Sequence, residues 1–184
     1  FLKGILNKEW GLRQRALLSH VGVFEVEDPQ RLGLLTDVAM NIAPDVQQKA
    51  QIIENAVAFA HRLGIGRPRV AMIAAVETVS ADMPATLDAA VLSKMADRGQ
   101  IKGCVVDGPL ALDNALSAEA ARHKGISSPV AGCADILVVP DIEAGNVLYK
   151  ALSLLTNRPM AAVIVGASAP VVLTSRADSD ETKF

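Results

Sequence analysis

A chain of 184 residues is long enough to bury a core that needs no disulfide to hold it. Its apolar fraction of 51% with only 3% aromatics describes a core of Ala, Val, Ile and Leu, the mixture used by parallel sheets and their covering helices. Eighteen basic against twenty acidic residues leave a net charge of -2, and no segment pairs Lys and Arg with aromatics, which excludes a nucleic-acid groove. The apolar runs are cut by Gly, Pro or charge well short of the roughly 18 to 20 residues of a membrane span, so neither nucleic acid nor membrane is an expected partner and the chain reads as soluble. Cys104 and Cys133 form no CxxC pair and read as reduced, buried cysteines of a cytoplasmic protein. The chain starts without Met or a signal arrangement and stops at Phe184 just as a helical pattern begins, which are the marks of a fragment.

In chain order, a first helical turn is expected around Phe1 to Lys8. Strands follow at His20 to Val26, from β-branched density and alternation, and at Leu34 to Ala39. Pro44-Asp45 opens a pattern in which Ala50, Ile53, Val57, Ala60 and Leu63 recur at helical spacing up to Gly64. The next units are strand Arg69 to Val76, helix Met83 to Asp97 with Pro84 in its first turn, strand Cys104 to Asp107 and helix Ser117 to Lys124. The run Ile136 to Pro140 reads as a buried strand, followed by helix Gly145 to Leu155, strand Ala161 to Val165 and a short strand Val171 to Thr174. This alternation predicts a three-layer α/β fold, a mostly parallel sheet with helices on both faces, in one region spanning 1–184.

Several motifs drop out for want of residues at the required spacing. Gly64-Ile65-Gly66 lacks the third glycine of a dinucleotide fingerprint and reads as a helix-ending turn. Gly166-Ala167-Ser168-Ala169-Pro170 has Pro where a nucleophile elbow closes with Gly. His20, His61 and His123 are scattered, with no carboxylates at ligand spacing, so no metal is expected. Three loops remain at the ends of expected parallel strands, where α/β proteins bind ligands. Asp107-Gly108-Pro109 follows one strand, Asp141 to Asn146 another, and Ser175-Arg176 the last. Asp107 is a turn residue or a ligand contact; Asp141 is a helix N-cap or a ligand contact. Gly145-Asn146 at a helix start offers backbone N–H groups to an anion. Ser175-Arg176 is either an ordinary solvated pair or a hydroxyl and guanidinium that grip an oxyanion. With Ser128 and Gly132 of the loop Ser128 to Asp135, these residues are expected around one cleft.

The words Ser128-Pro129-Val130-Ala131-Gly132 and Pro140-Asp141-Ile142-Glu143-Ala144-Gly145-Asn146 resemble those of the phosphate acetyl/butyryltransferase family, and the resemblance extends through most of the chain. Ala74 to Glu77, Met83 to Thr86, Gly99 to Gly103 and Asp107 to Ala115 are closest to its butyryl branch. The resemblance implies reversible transfer of an acyl group, acetyl or butyryl, between coenzyme A and inorganic phosphate, with acyl phosphate as the other product. Coenzyme A is then a substrate, and no permanently bound cofactor is expected. It implies that Ser175 and Arg176 stabilise the acyl carbonyl, and that Lys3 stands where the acetyl branch has a phosphate-contacting arginine. The acetyl branch places a thiol-deprotonating aspartate seven residues beyond the serine. Thr182 occupies that place here, leaving Asp178, Asp180, Glu181 or water for the role. The family further implies a cytoplasmic homodimer. Its two-domain architecture is that of the isocitrate/isopropylmalate dehydrogenases, of which this chain is the second half with most of the N-terminal portion missing.

Two other readings stand beside this one. The first is a module, non-catalytic or fused to a hydratase-type domain, that binds an acyl-CoA ester without turning it over. The second is a metal-dependent, NAD-linked hydroxyacid dehydrogenase, for which Asp107 and Asp113 make a poor metal cluster.

Overall fold

The computed structural model describes residues 4, 7, 11–12, 17–26, 31–156, 160–169 and 171–172. In chain order these form β1 (Ser19–Val26), β2 (Arg31–Thr36), α1 (Val46–Arg62), β3 (Arg69–Ile73), α2 (Pro84–Asp97), β4 (Val105–Leu110), α3 (Leu112–Leu116), α4 (Ala118–His123), β5 (Ile136–Val138), α5 (Ile142–Thr156), β6 (Ala161–Val165) and β7 (Val171–Val172). The strands make one sheet of order β4-β3-β5-β2-β1-β6-β7. Strands β2 to β6 point the same way, as expected. The sheet is nonetheless mixed, because β1 runs antiparallel between β2 and β6, and β7 antiparallel beside β6. The cause is connection length: only four residues separate Val26 from Arg31, and a parallel crossover needs about a dozen or more.

Successive residues of the central strands face opposite layers. Leu34, Val70, Met72, Ile136 and Val138 meet Ile53, Ala56, Val57 and Ala60 of α1 and Ala89 and Leu92 of α2. Leu35, Ala71 and Leu137 meet Ala115 of α3 and Tyr149 of α5 on the other side. Ile136 and Leu137 are both fully buried, which is why β5 reads as a continuous apolar run rather than an alternating one. Each such side chain is worth roughly 1.5–3 kcal/mol of burial.

Helix α1 starts where Pro44-Asp45 suggested. The Asp45 carboxylate accepts from the Gln48 N–H at 2.8 Å while Gln48 Oε1 accepts from the Asp45 N–H at 2.9 Å, a complete capping box. It ends at Leu63, before Gly64 at φ +86°. The helix expected over Ser117 to Lys124 is α4, capped by Ser117 Oγ at one end and closing at Lys124, and the short α3 that Ser117 terminates just before it was not expected. Strands β2 and β3 end before the positions expected, at Thr36 and Ile73, and α5 begins earlier, at Ile142. The turn over Phe1 to Lys8 and the end of the last strand lie almost wholly outside the described residues.

At the edge where the parallel strands begin, buried Asp135 ties three of them together. Its Oδ2 accepts from Arg69 N at 2.8 Å and Nε at 3.0 Å, and its Oδ1 from Arg69 Nη2 at 3.0 Å. Arg31 Nη1 adds a longer contact at 3.5 Å. The hydrogen bonds Arg69 donates to Asp135 raise its pKa above its ordinary value, whereas burial lowers that of Arg31. This fork joins the starts of β2, β3 and β5 and leaves the opposite edge to carry the site.

Candidate functional site

The C-terminal ends of β2, β3, β4, β5 and β6 share one rim, and four polar clusters stand on it. After β2 the buried Asp37 organises the loop that leads to α1. Its Oδ1 accepts from Ala39 N at 3.0 Å and Met40 N at 3.1 Å, and its Oδ2 from Asn41 Nδ2, which also reaches Leu18 O. After β5 the start of α5 docks on that loop. Ile142 N donates to Ile42 O at 3.0 Å, and Asn146 Nδ2 to Val38 O at 3.3 Å. After β3, Glu77 Oε1 accepts from Asn114 Nδ2 and, at 3.0 Å, from Lys124 Nζ. Lys124 also lies 3.3 Å from Asp113 Oδ2, and these carboxylates, Glu77 first, raise its pKa. After β6, Gly166 at φ +93° turns the chain beside Asn55 of α1.

Of the residues expected around one cleft, Asp141, Gly145 and Asn146 lie on this rim. Asp141 has the N-cap role: its Oδ1 accepts from Ala144 N at 2.8 Å and its carbonyl from Gly145 N at 3.2 Å. The Gly145 N–H is therefore already used, and the expectation that it is open to an anion is corrected. Gly145 is glycine because the helix approaches the β2 loop too closely for a side chain. A Cβ there would lie 2.5 Å from Asp37 O and 3.1 Å from Val38 Cα.

Asp107 is not at a strand end. Strand β4 continues to Leu110, and its register with β3 passes from Ala71 opposite Asp107 to Ile73 opposite Leu110, so β4 carries an extra residue. Gly108 and Pro109 form this bulge on an edge strand, where a sheet tolerates both residue types. Asp107 Oδ1 accepts from its neighbour Gly108 N.

Ser128 and Gly132 belong to the segment that enters β5, and Gly132 meets Asn114, whose side chain bonds Glu77 on the rim. Ser128 Oγ accepts from Val130 N and Ala131 N, closing a turn. Gly132 N donates to Asn114 O at 2.7 Å, and a Cβ on Gly132 would lie 2.4 Å from Ala118 Cα. Gly132 pins this loop against α3 and α4. Lys3, Ser175, Arg176 and Asp178 lie outside the described residues, and because β7 runs antiparallel to β6 the expectation that Ser175-Arg176 follows the end of a parallel strand is corrected. Asp37 was missed because its strand was extended through Ala39. The signal was present: like Asp141, it follows an apolar run that ends in the rim. Among the described residues, no group of three or more His, Cys, Asp and Glu is gathered as for a metal ion.

Comparison with known proteins places the chain in a class. The family profile described as Phosphate acetyl/butaryl transferase matches residues 1–184, and the chain belongs to that family. It is 60% identical to the phosphate butyryltransferase of Clostridium acetobutylicum over 184 residues, which cover 100% of this chain and 61% of that protein. It is 52% identical to the phosphate acetyltransferase of Thermotoga maritima, covering 100% of this chain and 62% of the relative. The crystal structure of a branched-chain phosphotransacylase from Enterococcus faecalis V583 matches with a TM-score of 0.90 at 44% identity, over 100% of this chain and 65% of that one. The chain thus spans about three fifths of the length of the curated relatives it matches.

Proposed function

We propose that this protein transfers an acyl group reversibly between coenzyme A and inorganic phosphate. The observation that carries the proposal is the match of all 184 residues, at 60% identity, to a phosphate butyryltransferase. At the rim, Ile142 N on Ile42 O and Asn146 Nδ2 on Val38 O hold the start of α5 against the β2 loop. A phosphate oxygen attacks the thioester carbon, the C–S bond breaks, and coenzyme A leaves as a thiolate that takes up a proton. Ser175 and Arg176 hydrogen-bond the oxygen on which charge develops. Lys3 holds phosphate as a point charge. In the reverse direction Asp178, or Asp180 or Glu181 nearby, takes the proton of the thiol. Positioning and anion stabilisation supply most of the catalysis, with coenzyme A a substrate rather than a resident cofactor. Asp107, Ser128 and Gly132 contribute by fixing the chain that frames the rim. The same reading makes the protein a cytoplasmic homodimer, with the two-domain architecture of the isocitrate/isopropylmalate dehydrogenases.

The acyl group is longer than acetyl, since Ala74 to Glu77 and Asp107 to Ala115 resemble the butyryl branch. An apolar pocket discriminates by roughly 1–3 kcal/mol per methylene, so kcat/KM for butyryl-CoA should exceed that for acetyl-CoA by tenfold or more. Kinetics over a series of acyl-CoA lengths test this. A preference for acetyl-CoA would overturn the chain-length assignment and leave the reaction class intact.

A further inference from the structure

At the edge where the parallel strands begin, the fork around Asp135 carries more positive than negative charge. Two guanidinium groups, Arg31 at the start of β2 and Arg69 at the start of β3, face one carboxylate. Arg69 presents its Nε–Nη2 edge to Asp135, with each nitrogen 3.0 Å from a carboxylate oxygen. Arg31 does not use that edge. Its Nη1 donates to Ala134 O at 2.5 Å and reaches Asp135 Oδ1 at 3.5 Å, while its Nε and Nη2 are buried and have no partner among the described residues. The Arg31 side chain is 15% exposed, so these two donors lie just beneath the surface. Burial pulls its pKa down even with Asp135 beside it, and the Arg69 charge acts in the same direction.

A buried charged donor left without an acceptor is costly, and two donors on one guanidinium edge are matched by two oxygens of a single anion. Asp135 cannot be that anion, because both of its oxygens are held by Arg69. Exposed Arg67, two residues before Arg69, adds positive charge on the approach to β3. The excess of cations favours a dianion over a singly charged carboxylate. We propose that Arg31 binds an oxyanion of the phosphate class, held bidentately on Nε and Nη2, at the edge of the sheet opposite the rim. The anion balances the charge of the fork and satisfies the two donors at the start of β2. This site does not depend on the acyl-transfer reading above.

The test is equilibrium dialysis of radiolabelled inorganic phosphate against the purified protein, at an ionic strength held constant with potassium chloride. Arg31→Met removes the guanidinium together with its unpaired donors and is expected to bind one phosphate fewer per chain than the wild type. Arg31→Lys keeps the charge without the planar fork and is expected to weaken this site about tenfold, with kcat and KM for phosphate in acyl transfer unchanged. Acetate is expected not to displace the phosphate. Glycerol 3-phosphate separates the two sources of the anion: displacement shows a site open to phosphate monoesters, and none shows a site for inorganic phosphate alone. Equal numbers of bound phosphates in wild type and Arg31→Met would overturn the proposal, as would displacement by acetate. Should Arg31→Met fail to fold, unweakened binding in Arg31→Lys overturns it. Should acyl transfer be absent, one phosphate bound by the wild type and none by Arg31→Met still supports the site.

Discussion

A methyl group at Gly145 would sit 2.5 Å from the Asp37 carbonyl oxygen and 2.9 Å from Val139 Cγ2, inside the contact that joins α5 to the β2 loop. Alanine is the better helix former, by about 1 kcal/mol, but overpacking costs roughly 1–3 kcal/mol and backbone is a poor neighbour to push aside. Gly145→Ala is therefore expected to destabilise the protein and to lower acyl transfer more than stability alone accounts for, as measured by denaturant midpoints and kcat. A neutral or stabilising effect would remove the close approach from the account. At Cys104 burial pushes the thiol pKa up to about 11 from 9.0. The thiol is therefore protonated at pH 8, with a thiolate fraction on the order of a thousandth, and only a thiolate is nucleophilic. Alkylation at pH 8 is expected to spare Cys104 until the protein unfolds. Because the raised pKa favours the protonated form in the fold, this group's contribution to stability is complete below pH 9 and is lost as pH rises from 9 to about 11. Replacing Cys104 with Ala should flatten that part of the stability profile. Whether a residue's role was readable depended on what its type determines. Asp141 and Gly145 were both found, but an aspartate before a helix specifies only a cap, and a glycine's free N–H is indistinguishable in sequence from a glycine's missing side chain.

Helices α1 and α2 meet on one face of the sheet through Lys49 and Asp88, whose Nζ and Oδ2 lie 2.6 Å apart with the Lys49 side chain 6% exposed. Removing the carboxylate strands a buried ammonium, which typically costs about 3–5 kcal/mol, whereas an apolar replacement of the cation is often close to neutral. Asp88→Ala is thus expected to destabilise by several-fold more than Lys49→Met in equilibrium unfolding, and equal effects would show the pair to be surface-like. The elements themselves were legible where periodicity and caps agreed, as in α1 with Asp45 and Gln48 at one end and Gly64 at the other. They were misjudged where local chemistry and tertiary role part. Gly108-Pro109 carries turn chemistry yet forms a bulge within edge strand β4, where the extra residue is left unpaired opposite β3. The antiparallel β1 was available from the short connection around Asp28-Pro29 and the dozen residues a crossover requires.

At the scale of the molecule, the two edges of the sheet divide the work. The edge where parallel strands begin is fastened by the Asp135 fork, and the edge where they end carries Asp37, Glu77, Asp141 and the turn at Gly166. In open α/β sheets the second edge is the one that generally binds ligands. The central proposal is that the protein transfers an acyl group to phosphate with Arg176 stabilising the oxyanion. The most direct measurement is phosphate-dependent release of coenzyme A from butyryl-CoA by the purified protein, with whatever residues its gene encodes on either side, compared with Arg176→Ala. The expected result is a rate that saturates with phosphate and a kcat lowered roughly 10²- to 10³-fold by the substitution, with KM far less affected. Release of coenzyme A that is absent or indifferent to phosphate, or a folded Arg176→Ala protein that keeps most of its kcat, would contradict it.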